Sequence, residues 1–429
     1  VASPLVARLG SFSQRTQPTP LKIPITNSPF SLYIFMRKYY LIAAVIFVLI
    51  GACRQDPNIG PLSPNSPYGK LDSIAYNPTA FPIVSPNGLP TMPIPDSNPT
   101  TVEGIKLGRL LFYDNILSGD FSMSCASCHE IEKAFTDGLP TAVGIAGIAS
   151  RRNSMSLINV GYNWKPSRQN NFNWDGHFAT LEAQVLAPVE HPLELNISWD
   201  TVVARLQAHP HYPRLFRKAF GIDYINQIDK QLAAKALAQF LRTLNSAGAQ
   251  YDASQWQAFQ YLSDAEERGL HLFMGDSGGG GSIVKDAECG HCHNATRNFA
   301  IFARNDFSNN GLDSANTFSD FPDYGLGAIT GRAQDNGKFR EVSLRNIGLT
   351  APYMHDGRFS TLEQVLDHYA AGGHPAPNLA SEMAASQTIR TLTAAEKTDI
   401  IAFLHALTDT SYVNKTEWQD PFLVEPNPW

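Results

Sequence analysis

The sequence is short of charge, of cysteine and of alternating apolar and polar residues. Charged residues make up 17% of its 429 positions, against ~25% in ordinary globular domains. The net charge is -6, and no basic stripe of the kind that nucleic acid binding needs is present. That argues against a nucleic-acid partner. Strand-like alternation is sparse, which leaves helix as the main element. The apolar run Leu41 to Ile50 is ten residues, too short for a bilayer span of ~20. A phosphate loop is missing too. The run Gly275 to Ser282 (GDSGGGGS) lacks a Gly-Lys-Ser/Thr ending, and no strand precedes it, so it reads as a loop. Hydrophobic residues reach 43%, enough for a sizeable core, and the length suggests two to three domains of ~150 residues.

From Met36 the chain reads MRKYYLIAAVIFVLIGAC. A short positive region at Arg37 and Lys38 precedes the apolar run, which ends in small residues and then Cys53. This fits a signal peptide, and in particular a lipoprotein signal whose Cys53 is lipidated after cleavage. The rival is an ordinary signal with an incidental cysteine. Residues 1–35 lie upstream of a plausible start methionine and read as an over-extended N-terminus. The expected location is the cell envelope or periplasm, with a lipid anchor in the membrane.

There are five cysteines. Besides Cys53, they form two tight pairs, CASCH at Cys125–His129 and CGHCH at Cys289–His293. In an oxidising compartment paired cysteines usually mean disulfides. Here a histidine follows each pair at once, which is the c-type haem attachment signal. The thiols bond the porphyrin vinyl groups, and His129 and His293 then ligate iron. Two short-loop disulfides or one zinc site are the rivals, but zinc does not need a histidine after each pair.

Several segments have the helical period. Leu107, Leu110 and Leu111 form one, weakened by Gly104 and Gly108. Leu232, Leu237, Phe240, Leu241 and Leu244 form another. Ser263-x-x-Glu266 and Thr393-x-x-Glu396 read as capping boxes, and Phe359 to Ala371 as a further helix. The expected fold is mostly α: two cytochrome c-like helical domains with long loops, each holding one covalently attached haem. Residues 36–53 are the signal and 54–100 a Pro/Asn/Ser-rich tether, so folded structure is expected from near Thr101. The first haem domain covers 101–250, the second 251–410, and 411–429 form a tail. No internal repeat beyond the Cys-x-x-Cys-His motif is evident.

Three long segments in order, SCASCHEIEKAFTDG, FNWDGHFATLEAQVLAPVEHPLEL and SLRNIGLTAPYMHDGRFSTLEQVLDHYAAGG, closely resemble the bacterial di-haem cytochrome c peroxidase and MauG family. The resemblance covers roughly residues 100–410. It implies that peroxide meets the N-terminal haem, with His129 as proximal ligand and Gln184, Pro188 and Glu194 in its distal pocket. It implies that Trp174 lies between the haems, and that one calcium ion is held by Asn159 and by carbonyls of Thr350 and Pro352. A carboxylate in a semi-enclosed pocket can take a proton from one peroxide oxygen and return it to the other, which suits Glu194. Gln184 can orient peroxide or water.

The chain departs from the family pattern in two places. Many relatives carry a histidine in the loop after the first motif that caps the N-terminal iron. Here none occurs between His129 and His177, so that iron is expected to be open or water-bound at rest. The second departure is at the distal position of the C-terminal haem, where peroxidase-type members have Met. Tyr369 stands there, as in MauG-type members, with Met354 as a rival ligand and an open site as a third outcome. A phenolate stabilises high iron charge, whereas a thioether raises the potential.

The resulting expectation is a peroxidase that reduces hydrogen peroxide with electrons delivered through the C-terminal haem. The donor would be a small protein such as a cytochrome c or a cupredoxin. The alternatives are MauG-like oxidation of a partner protein's side chains and a non-enzymatic di-haem electron carrier. Family members are often homodimers.

Overall fold

The computed structural model describes residues 69–163, 172–255, 257, 259–275, 285–296, 299–385 and 389–429. Cys53, the signal segment, residues 1–35, the start of the tether and most of the glycine run lie outside the described residues. Pro61–Trp429 form one compact unit.

The order is helical throughout. Helix α1 spans Val102–Tyr113, α2 Leu181–Gln184, α3 Ala187–Glu190, α4 Trp199–Ala208, α5 Tyr212–Phe220 and α6 Lys230–Leu241. Then come α7 at Gln250–Ser254, α8 at Asp264–Met274, α9 at Leu326–Thr330, α10 at Leu362–Ala371, α11 at Ser381–Ala385, α12 at Ala394–Ala406 and α13 at Pro421–Val424. One small antiparallel pair, Phe307–Ser308 with Phe339–Arg340, has Phe307 opposite Arg340.

Helix α1 starts where Thr101 accepts a hydrogen bond from Gly104 N, and it buries Leu107, Leu110 and Leu111. Each fully buried leucine contributes about 1.5–3 kcal/mol. Both expected capping boxes are present, Ser263 with Glu266 and Thr393 with Glu396. The helix expected from Phe359 begins at Leu362, because Thr361 caps it.

The glycine that weakens α1 on propensity has a packing purpose. A Cβ on Gly108 would collide with the carbonyl oxygen of Ala236, so glycine lets α1 and α6 cross at close range. Gly269 makes the same approach to the carbonyl of Asp399, between α8 and α12.

That match is one part of an internal repeat, which corrects the sequence reading. Asn159 and Asn346 both have left-handed backbone, φ 60° and 61°. Their N–H groups donate to Leu244 O and Leu407 O, each just past the last long helix of its half. The Trp174-Asp175-Gly176 and His355-Asp356-Gly357 turns are closed by equivalent bridges, Phe172 to Phe178 and Tyr353 to Phe359. Each leads to a threonine cap, Thr180 or Thr361. The repeat also stands in the sequence, as Ser-Leu-x-Asn-x-Gly at Ser156–Gly161 and Ser343–Gly348 and as Asp-Gly-x-Phe-x-Thr-Leu-Glu at Asp175–Glu182 and Asp356–Glu363, while the lengths that connect these segments differ.

Two large apolar clusters form the core. One gathers Leu107, Phe135, Trp199, Phe216 and Phe240; the other Leu270, Phe273, Phe302, Phe403 and Leu407. The first also takes in Tyr412 and Trp418 of the tail. Packed structure begins earlier than Thr101. Leu71 is buried, its N–H donates to Asp223 O, and Asn98 is buried between Glu182, Lys235 and Gln239. Proline and asparagine content suggested a tether, but Leu71, Leu89, Met92 and Asn98 of this arm are buried against the folded body.

Candidate functional site

Each cysteine pair sits on a single tight turn, Cys125–Ser127 and Cys289–His291. None of the four thiols is in a disulfide. Among the described residues, no group of three or more His, Cys, Asp and Glu side chains could hold a metal ion, so the zinc alternative finds no ligand set. Burial pushes Cys125 up to about 12 and Cys128 to about 11. Cys289 and Cys292 are likewise pushed up to about 12 by burial.

The histidines are oriented alike. His129 Nδ1 lies 2.8 Å from Phe135 O, and His293 Nδ1 lies 3.2 Å from Phe302 O. If Nδ1 donates to the carbonyl, Nε2 is left with its lone pair for a metal. Burial lowers both histidine pKa values, which favours the neutral, ligating ring. Phe135 and Phe302 both take left-handed backbone, φ 58° and 55°, and that conformation turns each carbonyl toward its histidine. These two carbonyls carried no signal in the sequence.

A cavity of about 280 Å³ opens beside Cys289, Cys292 and His293. Tyr369 and Met354 also line it, so the structure brings both rival axial ligands into one space. Asn310 stands between them. Its Nδ2 is 3.4 Å from Tyr369 OH and 3.5 Å from Met354 Sδ. Burial pushes the Tyr369 phenol up to about 12, and the hydrogen bond from Asn310 opposes that rise. Two thiols, a histidine nitrogen held ready and a phenol or thioether lining one cavity are a donor set that would fit haem c.

The same cavity reaches Trp174, Asn159, Thr350 and Pro352. Trp174 is buried, and its Nε1 donates to Asn153 O at 2.9 Å. Asn153 N in turn donates to His355 O at 2.7 Å. The indole is thus held in the first half while it faces the second half's cavity. Arg152 fixes its turn by bonding Asp175 at 2.6 Å and by a two-pronged contact with Asp323. Asn159 is buried with its amide already paired to Ser246, donating to the carbonyl and accepting from the N–H.

At the first site, the Glu194 charge adds a minor part to the upward shift of both Cys125 and Cys128. Burial raises the Glu194 pKa, and His191 works against the rise from 3.3 Å. Gln184 ends α2 with its Oε1 buried and without a protein hydrogen-bond partner. Pro188 lies in α3, and its carbonyl accepts from Leu195 N at 3.1 Å, closing the loop that carries Glu194. His177 is exposed, with its ring against Phe178. His191, missed in the sequence, was signalled by its i to i+3 spacing from Glu194.

Comparison with known proteins fits this geometry. The family described as di-haem cytochrome c peroxidase matches residues 102–258. The methylamine utilization protein MauG of Methylorubrum extorquens is 35% identical over 319 residues, covering 74% of this chain and 81% of that one. The chain belongs to the di-haem cytochrome c peroxidase and MauG family. The cytochrome-c peroxidase IdrP1 of a Pseudomonas species is 32% identical over 367 residues, 78% of this chain and 87% of that one. A MauG-like protein associated with microbial copper homeostasis superposes with a TM-score of 0.66 at 36% identity, covering 79% of this chain and 98% of that one. The mostly helical fold and the assignment as a di-haem peroxidase-type oxidoreductase follow from this membership. Two c-type haems are implied. No helix among the described residues is long and apolar enough to cross a membrane.

Proposed function

We propose that this protein reduces hydrogen peroxide at the Cys125–His129 haem and draws electrons through the Cys289–His293 haem. When bound, the haems supply iron that accepts peroxide at one site and stores or passes electrons at the other. Glu194 takes the proton from the near peroxide oxygen and returns it to the leaving oxygen, a step worth ~10²–10⁴ in rate. Gln184 orients the peroxide through its unpartnered amide oxygen or the amide N–H. Pro188 holds the loop. Trp174 carries charge between the two haem positions. The observation that carries the reading is the Glu194 carboxyl, 3.3 Å from His191 on the loop closed by Leu195 N and Pro188 O, with its pKa raised by burial. Stopped-flow mixing of Glu194→Gln with peroxide tests it; a rate equal to the parent's removes Glu194 from the mechanism.

Tyr369 is the proposed distal ligand of the second haem. Its phenol is hard to ionise alone, and a bound cation reverses that. Asn310 then donates to the phenolate oxygen. This favours a second reading, MauG-like oxidation of a partner protein's side chains, because a phenolate-ligated iron is a poor electron acceptor and a good store of oxidising equivalents. Steady turnover with a reduced cytochrome c or cupredoxin supports the first reading. A long-lived oxidised state with slow turnover supports the second. Calcium at Asn159, Thr350 and Pro352, lipidation at Cys53, a periplasmic location and a homodimer complete the proposal.

A further inference from the structure

Two phenylalanines, Phe135 and Phe302, offer the carbonyls that meet His129 and His293. Each ring sits in an aromatic box. In the second half Phe302 meets Phe273 and Phe403 at centroid distances of 6.3 and 5.9 Å. In the first half Phe135 meets Phe112 at 6.1 Å, which in turn meets Phe240 at 5.4 Å. These rings belong to each half's own helices. The last side of each box does not.

After α6, the last long helix of the first half, the chain runs on through α7 and sets Tyr251 against Phe302, 5.1 Å away. After α12, the last long helix of the second half, the chain runs back and sets Tyr412 and Trp418 against Phe135, each at 6.4 Å. One wall comes from the segment that joins the halves, the other from the chain that returns from the second half. Where the arms leave, they are tied together by buried groups. Ser246 Oγ donates to Asp409 Oδ2 at 2.8 Å, Asn346 Nδ2 donates to Ser246 Oγ at 3.0 Å, and Asp409 N donates to Asn346 Oδ1 at 2.7 Å. The returning arm is pinned further along. Arg109 donates to Gln419 O, Thr416 O and Glu425, and Tyr113 OH donates to Trp418 O. Lys415 lies over the Trp418 ring at 4.3 Å.

We propose that Tyr412 and Trp418 are positioning residues for the first haem. They press the Phe135 ring and so hold its left-handed carbonyl on His129 Nδ1, while Tyr251 does the same for Phe302 and His293. The segment that joins the halves thus sets one proximal hydrogen bond, and the chain returning from the second half sets the other. Such a bond governs the basicity of the ligating nitrogen, and losing partners of this kind typically costs 10–100-fold in activity or metal affinity. This inference rests on both histidines being the iron ligands, and it stands whether or not Glu194 is the acid–base group.

The test is resonance Raman of the ferrous holoprotein, reading the iron–histidine stretch of the open first haem, with the midpoint potentials of both haems measured alongside. Trp418→Ala should lower the stretch and shift the potential of the first haem only, and Tyr251→Leu should shift the potential of the second only. Trp418→Phe should restore most of the Trp418→Ala change. If Trp418→Ala does not fold, Tyr412→Leu and Trp418→Leu read the same signal. Peroxide rates should fall about tenfold in Trp418→Ala. An unchanged first-haem stretch or unchanged potentials in variants that fold, or equal potential shifts at both haems from either change, overturn the proposal. A loss of peroxide rate without any change in the stretch also overturns it, since that pattern belongs to the distal side.

Discussion

The two halves of this protein share a proximal side and differ on the distal side. Below each haem position stand a cysteine pair on one turn, a histidine whose Nδ1 meets a phenylalanine carbonyl, and a glycine-mediated crossing of two helices. With the first goes a carboxylate, Glu194, raised in pKa by burial and 3.3 Å from His191. With the second go a phenol and a thioether, Tyr369 and Met354, around a single amide. On the proposed reading, a common scaffold would hold both haems, and these few side chains would decide which performs proton-coupled chemistry and which keeps charge.

The largest expected break in that comparison is chemical. Glu194→Gln should slow the peroxide reaction by ~10²–10⁴, while Tyr369→Met should leave that rate of the same order and raise the potential of the second haem; stopped-flow and redox titration separate the two. Next comes stability. Each half has a buried arginine–carboxylate pair, Arg242 with Glu182 and Arg345 with Asp252. The second is the more deeply buried, so Asp252→Ala should destabilise by about 3–5 kcal/mol in a denaturant titration, and Glu182→Ala by less. Smaller again, Gly108→Ala and Gly269→Ala should each cost about 1–3 kcal/mol by overpacking a helix crossing, with matching effects if the halves are equivalent there. The mildest test is pH. Glu194 acts as a base only when ionised, and burial raises its pKa. The acid limb of the peroxide rate should therefore lie above ~4.3, the value of a free glutamate, and vanish in Glu194→Gln.

The sequence made the haem sites legible because covalent attachment demands fixed residues at fixed spacing. Cys125, Cys128, His129 and their counterparts could be read with no structure at all. Helices with capping boxes were legible for the same reason, since Ser263 and Glu266 act over one turn. What stayed hidden depends on distant contacts. Gly108 looked like a defect until α6 was seen beside it. Phe135 and Phe302 act through their backbone, which no side-chain pattern reports. Tyr412 and Trp418 lie in what read as a tail, and Leu71 and Asn98 in what read as a tether, because composition registers proline and polarity but not the surface a segment covers. The repeat was legible too, since Ser-Leu-x-Asn-x-Gly and Asp-Gly-x-Phe-x-Thr-Leu-Glu each occur twice, but the different lengths between them obscured it.

The central claim is that one haem presents an open face to peroxide while the other is closed by a protein oxygen. An EPR spectrum of the resting ferric protein, taken with and without cyanide, addresses it most directly. The account predicts a high-spin signal from the first haem that cyanide converts, beside a second signal that cyanide leaves alone. Two low-spin signals, both indifferent to cyanide, would contradict it.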